Sequence, residues 1–187
     1  MEGVKAIVIG GSAGSFPLVV RILSELPKDF KFPIFLALHR LKHVPHGLLT
    51  SLQAKSNLKI VEPEDDERIV PGVVYLAPAN YHMYIDLLKV IALSTEPMVK
   101  FSRPAIDLTF ETAATTYKEG LVGVMLSGAN TDGANGMATV KKKGGYTIVQ
   151  DPNEAGVATM PKGAIAATEI DFIGTVDEII TKLKSLN

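Results

Sequence analysis

The chain contains no cysteine, and its positive and negative charges nearly cancel. Without cysteine, a disulfide scaffold, a thiolate zinc site, an iron–sulfur cluster and a cysteine nucleophile are all excluded. The 19 Lys and Arg residues against 20 Asp and Glu residues leave a net charge of −1, so no overall field favours nucleic acid or an anionic membrane. No apolar run approaches the about 18 residues that a membrane span needs, and no signal-peptide pattern opens the chain. We therefore expect a soluble, cytoplasmic protein without nucleic-acid or membrane partners, whose chemistry comes from Ser, Thr, His, Asp, Glu, Lys or Tyr.

Hydrophobic residues make up 47% of the 187 residues and charged residues 21%, which is the balance of a globular protein with a full core. This composition excludes a disordered chain and a fibrous repeat. The length favours a single domain over residues 1–187.

Short apolar runs rich in β-branched residues alternate with segments of helical periodicity. Buried strands are predicted at 6–9, 33–38, 58–61, 121–126, 146–149 and 172–173. Helices are predicted after an N-cap at Ser15, over 46–54, 104–117 and 134–143, and after a capping box of Thr175 and Glu178. Residues 73–77, 82–85 and 89–93 are predicted as antiparallel strands. The pattern indicates an α/β fold, a doubly wound, mostly parallel sheet with an antiparallel hairpin or meander inserted.

The loop after the first predicted strand has the pattern G-x-S-x-G over residues 10–14, with Ser12 at its centre. Small flanking residues allow a tight strand-to-helix turn that exposes a nucleophilic serine. The alternative is a phosphate- or dinucleotide-binding turn. However, Ser12 replaces the second glycine of the dinucleotide fingerprint, and the P-loop ending is absent.

His39 ends the second predicted strand, where its ring would face the same crevice as Ser12 if the two strands are neighbours. It is otherwise a surface histidine at a strand end. A zinc site of His39, His43 and His46 is a further alternative, but Pro45 breaks any helix that would align these rings. We expect no metal and no cofactor.

Asp132 lies in the polar loop after the strand predicted at 121–126. It could cap the helix that begins near Gly133, or it could orient an imidazole at this sheet edge. A calcium loop fails because Gly128 and Thr139 occupy the first and last ligand positions.

The order Ser…His…Asp differs from the Ser…Asp…His order of α/β-hydrolases, so an ordinary α/β-hydrolase is not indicated. A resemblance to a different family runs along nearly the whole chain. It is carried by Ile-Val-Ile-Gly-Gly-Ser-Ala-Gly at 7–14, Leu-His at 38–39, Val-Val-Tyr-Leu-Ala-Pro at 73–78, Arg-Pro-Ala-Ile-Asp at 103–107, Leu-Ser-Gly to Asp-Gly-Ala at 126–134, Gln-Asp at 150–151 and Met-Pro at 160–161. These segments resemble the catalytic domain of the chemotaxis protein-glutamate methylesterase (CheB) family.

The resemblance implies hydrolysis of glutamate γ-methyl esters on the cytoplasmic helices of chemoreceptors, with glutamine deamidation as a related activity. It implies that Ser12 is the nucleophile, His39 the base and Asp132 the third member of a triad. Backbone N–H groups at Ala13 and Ala129 are the expected oxyanion donors, although the family usually has Thr and Met there and Gly at Asn130.

Arg103 lies near the expected crevice, as do Arg40, Lys42 and Lys55, and these charges could steer an acidic receptor helix. Because five residues precede the first strand, we expect no receiver domain and an openly accessible site. A general small-molecule carboxylesterase or amidase, and a non-catalytic binding module on the same fold, remain the alternatives.

Overall fold

The computed structural model describes residues 3–39 and 47–186. The strands are β1 (Ala6–Gly11), β2 (Ile34–Leu38), β3 (Lys59–Val61), β4 (Glu67–Arg68), β5 (Val73–Leu76), β6 (His82–Ile85), β7 (Val90–Ser94), β8 (Leu121–Met125), β9 (Tyr146–Gln150) and β10 (Phe172–Gly174). The helices are α1 (Phe16–Glu25), α2 (Gly47–Gln53), α3 (Ile106–Tyr117), α4 (Ala134–Lys142), α5 (Thr159–Ala167) and α6 (Val176–Lys184), with a 3₁₀ turn at Lys118–Gly120.

Seven strands form a parallel sheet in the order β10-β9-β8-β1-β2-β5-β3. The chain winds outward from β1 through β2, and later in the opposite direction from β8 through β9 to β10. The strand order therefore reverses between β1 and β8. In doubly wound sheets, the crevice beyond the carboxyl ends of such strands is the usual ligand site.

Each face of the parallel sheet carries its own hydrophobic core, because alternate side chains of a strand point to opposite faces. Ile7 and Ile9 of β1 pack on the face that α1, α2 and α6 cover. Ala6 and Val8 pack on the other face, under α3, α4 and α5. Burial on both faces explains why the parallel strands are almost continuously apolar in sequence. The doubly wound architecture predicted from that pattern is confirmed.

The antiparallel insertion is smaller than predicted. β6 and β7 form a hairpin, and β4 pairs with the other edge of β7. The prediction that 73–77 belongs to this meander is wrong, because β5 pairs in parallel with both β2 and β3. Its residues Val74, Tyr75 and Leu76 are buried, as a strand inside a parallel sheet requires.

Several elements differ from the sequence-based expectation. Helix α5 and the two-residue strand β4 were not predicted; Pro161 and Gly163 lie inside α5 and weaken its helical signal. The capping box of Thr175 and Glu178 at α6 is present. No helix over 3–39 or 47–186 is long and apolar enough to cross a membrane.

Candidate active site

Three neighbouring strands bring Ser12, His39 and Asp132 to the same edge of the sheet. Ser12 directly follows β1, His39 directly follows β2, and Asp132 lies in the loop after β8. Backbone hydrogen bonds tie the three loops together: the His39 N–H donates to Gly11 O at 3.1 Å, and the Ser12 N–H donates to Ser127 O at 2.9 Å. The carboxyl edge at the strand reversal is therefore the candidate site.

The turn that carries Ser12 depends on Gly14, which has φ +81°. A side chain there would be strained, and its Cβ would lie 2.9 Å from the Ser127 hydroxyl. Ser15 is not the side-chain cap that the sequence predicts. Its hydroxyl donates back to Ser12 O at 2.7 Å, which holds the turn closed instead of capping α1.

The closest side-chain pair in the site is His39 with Asp132. The Nε2 atom of His39 lies 2.7 Å from Oδ2 of Asp132, with the carboxylate side chain fully buried and the histidine side chain 13% exposed. An ionised carboxylate only accepts, so the hydrogen resides on Nε2 and donates to Asp132. Nδ1 is therefore the ring nitrogen available to accept a proton, the reverse of the usual serine-protease arrangement.

Asp132 also begins helix α3. Its Oδ2 accepts from the Ile106 N–H at 2.8 Å, and its Oδ1 accepts from the Asp107 N–H at 3.0 Å. The expectation that Asp132 caps α4 is wrong, because the Gly133 N-cap of α4 receives no side-chain bond. Asp107 serves α4 instead, since its Oδ1 accepts from the Gly136 N–H at 2.8 Å. Asp132, just before α4, thus binds the first turn of α3, and Asp107, in the first turn of α3, binds the first turn of α4.

These contacts set the charge state of Asp132. Burial of the carboxyl group by itself raises its pKa, but hydrogen bonds from His39 and from the N–H groups of Asp107 and Ile106 outweigh that effect and hold the pKa below the usual value of 3.8. Asp132 therefore remains an anion at neutral pH, as a group that orients an imidazole must.

The lowered pKa of Asp132 predicts how acid affects folding. A carboxyl whose pKa is lower in the folded state contributes stability above its unfolded value, and this contribution is lost as the pH falls through the folded value. The free energy of unfolding of the wild type should thus fall more steeply below about pH 4 than that of Asp132→Asn. Urea titrations of both proteins between about pH 2.5 and 5 measure this difference. Parallel pH profiles would contradict it.

The hydroxyl of Ser12 makes no hydrogen bond with the His39 ring in the described part of the chain. The hydroxyl at Nδ1 belongs instead to Ser102, whose Oγ lies 3.4 Å from that nitrogen. Sequence reasoning missed Ser102, because it follows no strand end and fits no motif. Catalytic hydrogen bonds are often longer in the absence of substrate, so the lack of a Ser12–His39 hydrogen bond is compatible with Ser12 as the nucleophile.

The two expected oxyanion donors, the Ala13 and Ala129 N–H groups, are at exposed positions and have no acceptor among residues 3–39 and 47–186. Asn130 stands where glycine is usual, yet its φ is not in the left-handed region, so no strain results. Its Oδ1 accepts from the Asp132 N–H at 3.0 Å. The loop therefore fixes the position of Asp132 while leaving the Ala129 N–H available.

The guanidinium group of Arg103 is bound to the backbone through one nitrogen, while its buried Nε has no hydrogen-bond partner among the described residues. Its Nη1 donates to Thr95 O at 2.5 Å and to Glu96 O at 2.8 Å. Lys55 is exposed after α2. Arg40, Lys42, His43 and His46 lie outside the described residues. Within the described residues, no group of three His, Asp or Glu side chains could hold a metal ion.

Ser127 and Gln150 are buried polar residues that lie in segments carrying the family resemblance, although no individual role was predicted for them. The Ser127 hydroxyl donates to Ala13 O at 2.8 Å, and its N–H donates to Gln150 Oε1 at 2.9 Å. These bonds hold the turn that carries Ser12. Apart from that resemblance, each residue is marked in the sequence by being polar directly after a predicted buried strand, which many loops share.

Comparison with known proteins identifies one family along nearly the whole chain. Residues 7–183 match the family model described as CheB methylesterase. The chain is 33% identical to the Thermotoga maritima CheB methylesterase catalytic domain, whose crystal structure superposes with a TM-score of 0.93 over 98% of this chain and 99% of that one. It is 31% identical to a Clostridium acetobutylicum protein named protein-glutamate methylesterase/protein-glutamine glutaminase, covering 97% of this chain and 53% of that protein.

A Leptospira interrogans protein named "Putative protein-glutamate methylesterase/protein-glutamine glutaminase" is 43% identical over 94% of this chain and 91% of its own length. The present chain therefore spans about half of the Clostridium relative but nearly all of the Leptospira relative. Because the family model and these relatives match along almost the entire sequence, the chain belongs to the CheB methylesterase family.

Proposed function

We propose that the chain is a protein-glutamate methylesterase that works as a serine hydrolase, with Ser12 as nucleophile, His39 as base and Asp132 as the orienting carboxylate. The observation that carries the proposal is the 2.7 Å contact between His39 Nε2 and the buried Asp132 carboxylate, at the strand edge beside Ser12. Membership of the CheB methylesterase family supports the same chemistry.

In this mechanism, the Ser12 hydroxyl attacks the ester carbonyl of a glutamate γ-methyl ester while His39 Nδ1 takes its proton. The tetrahedral oxyanion accepts hydrogen bonds from the Ala13 and Ala129 N–H groups, each worth roughly 3 kcal/mol in comparable sites. The protonated ring then gives its proton to the departing methoxide, and methanol leaves. Water, activated by His39, then hydrolyses the acyl-enzyme, which restores Ser12 and leaves an unesterified glutamate side chain on the receptor.

The substrate that we propose is a methylated cytoplasmic helix of a chemoreceptor. The same steps with a glutamine side chain would release ammonia, and the double name of the Clostridium relative favours this as a second reaction. Neither reaction requires a cofactor, because the nucleophile, the base and the oxyanion donors all come from the chain.

Methanol release from a methylated receptor fragment tests the substrate. From the wild type we expect methanol and a receptor fragment with an unesterified glutamate side chain, and from Ser12→Ala neither product. A simple aryl ester serves as a second substrate. Turnover of the aryl ester without methanol release from the receptor would indicate a general esterase, whereas no turnover of either substrate would indicate a binding module.

A further inference from the structure

The connection between β7 and α3, residues 95–105, forms a wall beside His39. A two-way backbone bridge joins Val99 and Ser102 and closes a tight turn. The two residues inside the turn, Lys100 and Phe101, have φ of +47° and +62°, a conformation that side chains other than Gly and Asn rarely adopt. Such strain persists only where surrounding contacts impose it.

Three side chains impose this conformation. Lys100 Nζ donates to Asp107 Oδ2 at 2.7 Å and to Thr131 O at 2.9 Å. The buried His82 ring joins both ends of the wall, since its Nδ1 accepts from the Ala105 N–H at 3.2 Å and its Nε2 donates to Pro97 O at 3.1 Å. Arg103 holds the first residues of the wall through the carbonyl groups of Thr95 and Glu96.

These contacts fix the position of the Ser102 hydroxyl. Ser102 Oγ stands 3.4 Å from His39 Nδ1, the nitrogen that Asp132 leaves available for proton transfer. Among the described residues, its other hydrogen-bond partner is Lys100 O at 3.5 Å. The neighbouring Phe101 side chain is 99% exposed and contributes nothing to the core, so the strained turn is not explained by packing.

We propose that Ser102 is a positioning residue for the hydrolysis, which holds the Nδ1 side of the His39 ring in line with the nucleophile. This inference rests on the proposed serine-hydrolase function. A hydroxyl suits the role because it both donates and accepts. Before substrate binds, it donates to the single Nδ1 lone pair of the neutral ring. It gives up that lone pair to the Ser12 hydroxyl for the proton transfer, and it accepts from the Nδ1–H once the ring has taken the proton. The ring is then held at both nitrogens before and after the proton transfer.

The test compares Ser102→Ala, Ser102→Thr and Ser102→Val with an aryl ester as substrate. We expect kcat of the Ala and Val proteins to fall about tenfold with KM unchanged, because small displacements of a catalytic group reduce the rate strongly without weakening ground-state binding. Thr retains the hydroxyl and should keep most of the activity, whereas Val has nearly the same shape without it. Thermal unfolding of each protein checks the fold.

Ser94→Ala is the matched control, since the Ser94 hydroxyl accepts from the Glu96 N–H at the start of the same wall and does not contact His39. This variant should retain wild-type kcat. A wild-type kcat in Ser102→Ala, or equal kcat in the folded Thr and Val variants, would overturn the role of Ser102. A fluorophosphonate label should modify Ser12, and a label on Ser102 would instead identify Ser102 as the nucleophile. Lack of aryl-ester turnover by the wild type would count against the proposed function itself.

Discussion

Ser12→Ala and His39→Ala are each expected to reduce ester turnover about 10⁴-fold or more, because the nucleophile and its base act as one unit. Asp132→Asn should lose less than either, since Asp132 orients the ring and forms no bond to substrate. Steady-state assays with an aryl ester measure all three. The double variant Ser12→Ala/His39→Ala should be no slower than the slower single variant.

Ser24→Ala provides the control for these losses. Its hydroxyl donates to Arg21 O near the carboxyl end of helix α1, the end of that helix remote from Ser12. This variant should keep wild-type turnover. Equal turnover by the wild type and Ser12→Ala would eliminate the mechanism. Asp132→Asn needs a parallel measurement of unfolding, because it removes the charged group that accepts from the Ile106 and Asp107 N–H groups, and hydrogen bonds to a charged group contribute about 1.5 to 3 kcal/mol.

Gly136→Ala should destabilise the fold by about 2 to 3 kcal/mol. At this position α4 approaches α3 so closely that an added Cβ would lie 2.5 Å from the Phe110 Cβ and 3.3 Å from the Asp107 Cα. Neither atom can move away by a change of rotamer, so the two helices must separate. Separation also stretches the bond from the Gly136 N–H to the Asp107 carboxylate, and activity should fall together with stability.

Urea unfolding of Gly136→Ala and Gly156→Ala measures this effect directly. A Cβ at Gly156 would meet no atom within 4 Å, so the same substitution there should leave the free energy of unfolding almost unchanged. Equal stabilities of the two variants would show that α3 and α4 adapt without cost. Loss of activity in Gly136→Ala without loss of stability would contradict the link through Asp107.

The parallel sheet could be predicted because its strands are buried on both faces and therefore apolar along their whole length. The same property misled the interpretation of β5. Its apolar run is compatible with either sheet, and only the pairing with β2 and β3 decides between them. Helix α5 was missed because Pro161 and Gly163 obscure its periodicity, while burial of Met160 and Ala164 against the sheet stabilises it.

The candidate site was predictable to the extent that it follows strand ends. Ser12 and His39 come directly after β1 and β2, and the rule that carboxyl ends of parallel strands share an edge predicts their proximity. The partners of Asp132 in α3 were not predictable, because the contact joins segments 25 and 26 residues apart. Ser102 was hidden for a similar reason: its position depends on the conformation of an irregular connection.

The exchange of carboxylates between α3 and α4 has a consequence for how the site can move. Asp132 cannot release His39 independently, because the same carboxylate closes the first turn of α3, and Asp107 closes the first turn of α4 in return. Opening either helix end breaks hydrogen bonds at both, so the base and its anion belong to one cooperative unit of the folded protein. The exposed Phe101 side chain is not part of this unit, so it can adjust to substrates of different shape without breaking these hydrogen bonds.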